Sequence, residues 1–251
     1  MNTRQREVLG AIVKLYTETA QPVGSEALLE RYHFDVSAAT LRNDMLALEE
    51  EGYLHQPHTS AGRIPTDQGY RYYVSEMMRE YPLSHKEQEN LEKEFLILKA
   101  KHMRLARTTA RLLSTLSGNL AVAGVIGKED FSDFGMKELI EKPEFQEMDT
   151  LAQLVEMLDT LDEKVIFLAE GLSPDETRIY IGEENPLSEV SNNMAMIVAP
   201  YQNSEGERGI LAIIGPKRME YARNKSLIEY MKKLLSSSLV IIVAGNVIYF
   251  T

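Results

Sequence analysis

The chain has 251 residues, 44% hydrophobic and 26% charged, which excludes an end-to-end disordered or collagen-like polymer and leaves room for one large domain or two ordinary ones. It contains no cysteine, which excludes a disulfide scaffold, a thiolate nucleophile and a Cys-type zinc finger, and fits a reducing compartment, the cytoplasm. A formal charge of −11 argues against wholesale nonspecific binding to nucleic acid. The distribution matters more than the total. Residues 1–80 carry 8 Lys and Arg against 12 Asp and Glu, residues 81–111 carry 7 against 4, and residues 112–251 carry 12 against 22. No segment is a polycation, so any phosphate contact has to come from a local basic surface with the acids turned away. The opening MNTRQREVLG has no apolar stretch after its basic residues, so no secretory signal is expected. The longest apolar run, Leu239–Phe250, is interrupted by Gly245 and Asn246 and falls short of the about 20 residues a spanning helix needs.

In chain order, Val8, Leu9, Ile12, Val13, Leu15 and Tyr16 recur at helical spacing until Gln21-Pro22-Val23-Gly24 breaks the pattern. Ser25 is positioned to cap a short second helix ending at Arg31, and Ser37 to cap a third from Ala38 to Glu51, closed by Gly52. Tyr53–Gln56 and Arg63–Thr66 read as arms of a hairpin joined by Pro57–Gly62, with Pro65 confining its arm to an edge. Another helix completes residues 1–80. A long linking helix is expected over about 84–117, where Leu91, Phe95, Leu98, Leu105, Leu112 and Leu116 fall at steps built of four and three. Such a stripe suits a seam between two subunits or packing on the chain's own sheet, and both readings stand. Beyond it, strands are expected near Asn119–Ile126, Lys164–Ala169, Arg178–Gly182, Met194–Pro200 and Gly209–Ile214. Helices are expected near Met136–Glu141, Met148–Leu161 and Met219–Ser237. This order predicts an α+β sheet domain over 81–251. The tail's IIVA-GN-VIYF can form a tight hairpin adding two strands to a sheet.

The third helix carries the functional signal. Leu41, Met45 and Leu48 share its inner face, and the opposite side is centred on Asn43, flanked by Ala39, Leu46, Glu50, Thr40 and Arg42. Asn can pair with adenine, Ala can touch a thymine methyl, and Arg can reach guanine or phosphate. Ser37 and Thr40 can meet phosphate near the helix's positive end. Glu49-Glu50-Glu51 would be repelled by phosphate, so the helix is expected to enter a groove amino end first. The acid-free stretch His55–Thr66 offers His55, His58, Thr59, Ser60 and Arg63 to a backbone or minor groove, Arg63 being its one full positive charge. His55 and His58 also invite a metal reading, but i and i+3 on a strand face opposite ways and no third ligand lies nearby. No metal and no cofactor are expected.

The stretches QPVGSEALLERYHFDVSAATLRNDMLALEEEGYLHQPHTSAGRIPTDQGYRYYV (Gln21–Val74), ENPLSEV (Glu184–Val190) and IGPKRMEYARNKSLIEYM (Ile214–Met231) closely resemble the HrcA family of bacterial heat-inducible transcription repressors. The resemblance implies a winged helix-turn-helix DNA-binding domain over 1–80 and a GAF-like regulatory and dimerisation domain over 81–251. It further implies a dimer bound to an inverted-repeat operator upstream of chaperone genes, with activity modulated by the GroEL chaperonin. The domain that family members usually carry inserted in the GAF-like part, which contributes to dimerisation, looks missing or reduced here. The helical seam through Leu91, Phe95, Leu98, Leu105 and Leu112 becomes its expected substitute.

Three rival readings belong to other classes. An enzyme has nothing to attach to, since Gly-x-Ser-x-Gly, Walker, His-Glu-x-x-His and Gly-x-Gly-x-x-Gly patterns are all absent. A regulator controlled by a small effector in the GAF-like domain would need convergent polar groups, for which Asn185, Tyr201, Arg218 and Tyr221 are candidates. A protein-only interaction module is favoured by the acidic balance of residues 1–80.

Overall fold

The structure, a computed structural model, describes residues 1–100, 105–128, 130–146, 148–186, 192–203, 205–236, 240–243 and 246–249. The fold mixes α and β elements in two compact units, Met1–Arg79 with Lys217–Glu220, and Glu80–Pro216 with Tyr221–Thr251.

The first unit begins with α1 (Thr3–Thr19), started by a capping box in which the Asn2 side chain accepts from the Gln5 amide and the Gln5 side chain accepts from Asn2. Its stripe Val8, Leu9, Ile12 and Val13 is buried. Next comes α2 (Ser25–Arg31), whose N-cap is Gly24 with no side-chain bond. Ser25, expected as the cap, is instead the first helical residue and is buried. Helix α3 (Ala38–Glu50) is capped by Ser37, as its sequence predicts, and buries Leu41, Met45 and Leu48. Gly52, at φ 83°, supplies the left-handed turn that ends the segment. Strands β1 (Leu54–His55) and β2 (Ile64–Pro65) pair antiparallel, Leu54 opposite Pro65 and His55 opposite Ile64. Thr66 then caps α4 (Asp67–Tyr72) and donates its hydroxyl to the Gly52 carbonyl at 2.6 Å, tying the end of α3 to the start of α4. Arg218 also belongs to this unit, donating from Nη1 to the Thr17 carbonyl at 3.2 Å.

The second unit is built on a five-stranded antiparallel sheet formed by β3 (Leu120–Val125), β4 (Phe131–Phe134), β5 (Arg178–Ile181), β6 (Met194–Gln202) and β7 (Arg208–Pro216), ordered β4-β3-β7-β6-β5. Leu120, Val122, Met196, Val198, Ile210, Ala212 and Ile214 point to one face and pack with Leu154, Met157, Leu161, Val165 and Ala169. The other face of β3 is Ala121 and Ala123, small enough for α6 (Leu105–Ser117) to lie close. Helix α9 (Tyr221–Ser236) packs against β6 and β7. Covered on both faces, β3, β6 and β7 read as nearly unbroken apolar runs instead of alternating ones.

Three expectations need correcting. Residues Lys164–Ala169 are not a strand but the carboxyl-terminal part of α8 (Met148–Glu170), which follows the short α7 (Met136–Ile140). The run Val165–Leu168 has strand-like side chains, but Leu154, Met157, Leu161, Val165 and Ala169 are buried at helical steps against the sheet, and that packing overrides propensity. Strand β4 has no counterpart in the expected pattern. The tail pairs with itself antiparallel as expected, β8 (Val240–Val243) with β9 (Asn246–Tyr249), but as a separate two-stranded sheet and not as strands added to the five-stranded one.

The expected long helix is also two helices, α5 (His85–Ala100) and α6. A cavity of about 170 Å³ is lined by Asn90, Leu91 and Glu94 on one side and by Arg111, Leu112, Thr115 and Leu116 on the other. Leu91 and Leu112 would stand about 30 Å apart on a continuous helix, so the chain has folded back. Leu91, Phe95 and Leu112 are buried within their own unit, and Leu105 is half-buried. Leu98 lies outside the residues whose side chains are described. Leu91, Phe95 and Leu112 thus pack inside their own unit, where α5 and α6 face each other and α5 is tied to α9 through Glu92 and Tyr230. Replacing Phe95 by Ala should lower the unfolding free energy by about 3–5 kcal/mol and leave the sedimentation behaviour of the folded protein unchanged. A change of assembly state without loss of stability would return Phe95 to a seam.

Candidate nucleic-acid interface

The outward face of α3 is built by what its inner face consumes. Leu41, Met45 and Leu48 fill the core of the first unit, and Asp44, buried beside them, accepts from Arg4 Nε at 2.6 Å and Nη2 at 3.2 Å. These bonds, and the carboxylate's charge, hold the Arg4 guanidinium above its ordinary range. Ser37, Ala39, Arg42, Asn43 and Leu46 are exposed on the other side. The Ser37 hydroxyl accepts from the Thr40 amide at 3.2 Å and lies 3.0 Å from the Thr40 hydroxyl. Two hydroxyls thus sit together at the positive end of the helix.

The β1–β2 loop is held to α3 by one carboxylate. Glu49 Oε1 accepts the Gln56 amide at 3.1 Å, and Glu49 Oε2 accepts Arg63 Nε at 3.1 Å and Nη2 at 2.8 Å. The Gln56 side chain in turn donates to the Thr59 and Ala61 carbonyls at 3.1 and 2.8 Å, closing the loop from within. The Arg63 backbone exchanges two hydrogen bonds with Val23, at 2.8 and 2.9 Å. At Gly62 a Cβ would sit only 2.3–2.7 Å from Val23 backbone atoms, so this crossing requires glycine. The result is a cleft of about 560 Å³ between α3 and the loop, lined by Arg42, Asn43, Leu46, Gln56, Thr59 and Arg63 among others, with Glu26 at its α2 side.

Of the residues expected to form the site, Arg42, Asn43, Thr59, Ser60 and Arg63 therefore share one cleft. Ser37, Ala39 and Thr40 occupy the amino end of α3, and His55 and His58 are exposed on β1 and the loop. The role expected of Arg63 changes. Its side chain is only 14% exposed and bound to Glu49, so it anchors the loop and does not stand free as a phosphate contact. The anchoring role of Glu49 escaped the sequence reading because its partner lies on another element, Arg63 being fourteen positions away. Among the effector candidates, Asn185, Tyr201 and Tyr221 are buried and Tyr201 donates to the Gly124 carbonyl at 3.4 Å. The cavity between α5 and α6 is lined by none of them.

A capped helix with an open polar face, a β-loop clasped beside it and a covered antiparallel sheet farther along the chain define a modular protein of two units. Residues 68–224 match the family described as HrcA protein C terminal domain. The heat-inducible transcription repressor HrcA of Pelotomaculum thermopropionicum is 27% identical over 347 residues, covering 98% of this chain and 99% of its own. That alignment is longer than the chain, so the relative carries segments without a counterpart here. The repressor of the same name from Symbiobacterium thermophilum is 48% identical over 122 residues, 49% of this chain and 36% of its own. A crystal structure described as a hypothetical protein shares the fold with a TM-score of 0.72 at 23% identity, covering 94% of this chain and 96% of that one. The chain belongs to the HrcA family.

If Glu49 clasps the loop, a double-mutant cycle with Glu49→Ala and Arg63→Ala should give a coupling energy on the order of 1–2 kcal/mol in thermal or denaturant unfolding. Additive losses would mean that the pair holds nothing.

Proposed function

We propose that the chain is a cytoplasmic heat-inducible transcription repressor that binds an inverted-repeat DNA operator as a dimer through a winged helix-turn-helix unit. In this reading α3 is the recognition helix, the β1–β2 loop is the wing, and the domains fall at 1–80 and 81–251. The second unit serves as a GAF-like regulatory domain from which the usual inserted domain is missing or reduced. Membership of the HrcA family supports the repressor class. The observation that carries the DNA reading is the exposure of Arg42 and Asn43 in a cleft whose far wall is the clasped loop. Arg and Asn are the side chains best suited to bidentate pairing with guanine and adenine in a major groove.

The acidic balance of the unit is compatible with this role because Asp44 and Glu49 are taken up by Arg4 and Arg63. Neither acid then presents an unpaired charge toward a duplex, and the loop itself contains no acid between His55 and Thr66. Ser37, Thr40, Thr59, Ser60 and the imidazoles of His55 and His58 serve as phosphate contacts, and Ala39 as an apolar contact near the helix start. The regulated genes are those of chaperones, and GroEL, modulating the repressor, couples their expression to unfolded protein.

Mobility shifts on a duplex selected from a random-sequence pool test the reading. Retention should weaken steeply with added salt, and Asn43→Ala should cost about 1–3 kcal/mol on the selected duplex while leaving affinity for random DNA nearly unchanged. Equal losses on both would remove Asn43 from base reading, and no retained duplex at any salt would leave a protein-only module. Arg63→Ala should weaken binding by loosening the wing, with the salt slope changed by less than about one unit. A slope shallower by a full unit would restore Arg63 as a phosphate contact. Adding GroEL should increase the retained fraction, and sedimentation of the complex should show two protomers per duplex.

A further inference from the structure

Among the described residues of the first unit, Leu46 is the one large apolar side chain left exposed, at 46%. The core does not use it, since Leu41, Met45 and Leu48 already fill the inner face of α3. It follows Arg42 by four positions and Asn43 by three, so the three side chains are neighbours on one helix face, and all of them line the cleft beside the loop. A leucine among polar readers can recognise only an apolar group, and on the base edges of a major groove that group is the C5-methyl of thymine. We infer that Leu46 is a specificity-determining residue that packs on a thymine methyl next to the base pair met by Asn43.

The spacing fits this role. Asn43 and Leu46 lie about one turn, about 4.5 Å, apart along the axis of α3, so both side chains can reach one short stretch of base edges. The methyl also projects from the base edge into the groove, toward a side chain about one turn behind Asn43 on a helix that enters amino end first. Asn43 would then supply polar discrimination and Leu46 apolar discrimination. The inference rests on the proposed DNA reading of the same face.

The test replaces thymine by uracil, one position at a time, in the duplex selected by the wild-type protein. Each replacement deletes a methyl group and keeps Watson–Crick pairing. The wild type should lose about threefold to tenfold in affinity at one position of each half-site, the range expected for one buried methyl or a little more. Leu46→Ala should bind the all-thymine duplex more weakly by a similar factor and show no further loss at that uracil, while Leu46→Met should keep most of the penalty. Thermal melting of Leu46→Ala should match the wild type, since the side chain supports no core. A uracil penalty that persists unchanged in Leu46→Ala, or no penalised position in the wild type, overturns the inference and leaves DNA binding intact. Failure of the wild type to select any duplex removes the underlying DNA reading and this inference with it.

Discussion

The first unit depends on one carboxylate. Glu49, near the end of α3, takes up the Gln56 amide with one oxygen and the Arg63 guanidinium with the other, so both arms of the β-loop are referred to the same helix. A loop of this length left alone would sample many positions and would have to be ordered again at each encounter. Fixing both roots to α3 sets the distance between the helix face and the loop before any ligand arrives, which is preorganisation in its plain sense. Gln56 continues the effect inward by bonding the Thr59 and Ala61 carbonyls.

The same pairings answer the electrostatic objection raised by the acidic composition. Asp44 and Glu49 lie on α3, yet each is spoken for by an arginine from another part of the unit. Counting charges along the sequence treats these carboxylates as repulsive, whereas partly buried, hydrogen-bonded pairs act at short range and project little field outward. Arg42 remains outward-facing, beside an amide and a leucine. Glu26, on α2, is the acid that shares the cleft.

Much of the first unit was legible from sequence because its signals are local. Ser37 before an apolar-periodic run, Gly52 after it, and two short arms around a small polar stretch each carry their own turn or cap chemistry. The α3 face was legible too, since helical periodicity alone separates Leu41, Met45 and Leu48 from Asn43. What failed was whatever a partner decides. Arg63 reads as a free cation until Glu49 is seen opposite it. The stripe through Leu91, Phe95 and Leu112 announces that something covers it without saying whether that is a second subunit or the neighbouring helix. Val165–Leu168 reads as strand until the sheet beneath it selects the helical step.

The crossing of Gly62 over Val23 has a consequence for how such a molecule can change. At position 62 even a methyl group meets main-chain atoms at less than contact distance, and no rearrangement of a flexible neighbour relieves it. His58, Thr59 and Ser60 stand in open surroundings at the loop's far end. Sequence drift is therefore partitioned: the tip is free to exchange side chains and acquire new preferences, while the root behaves as a rivet whose loss would unseat every variant alike.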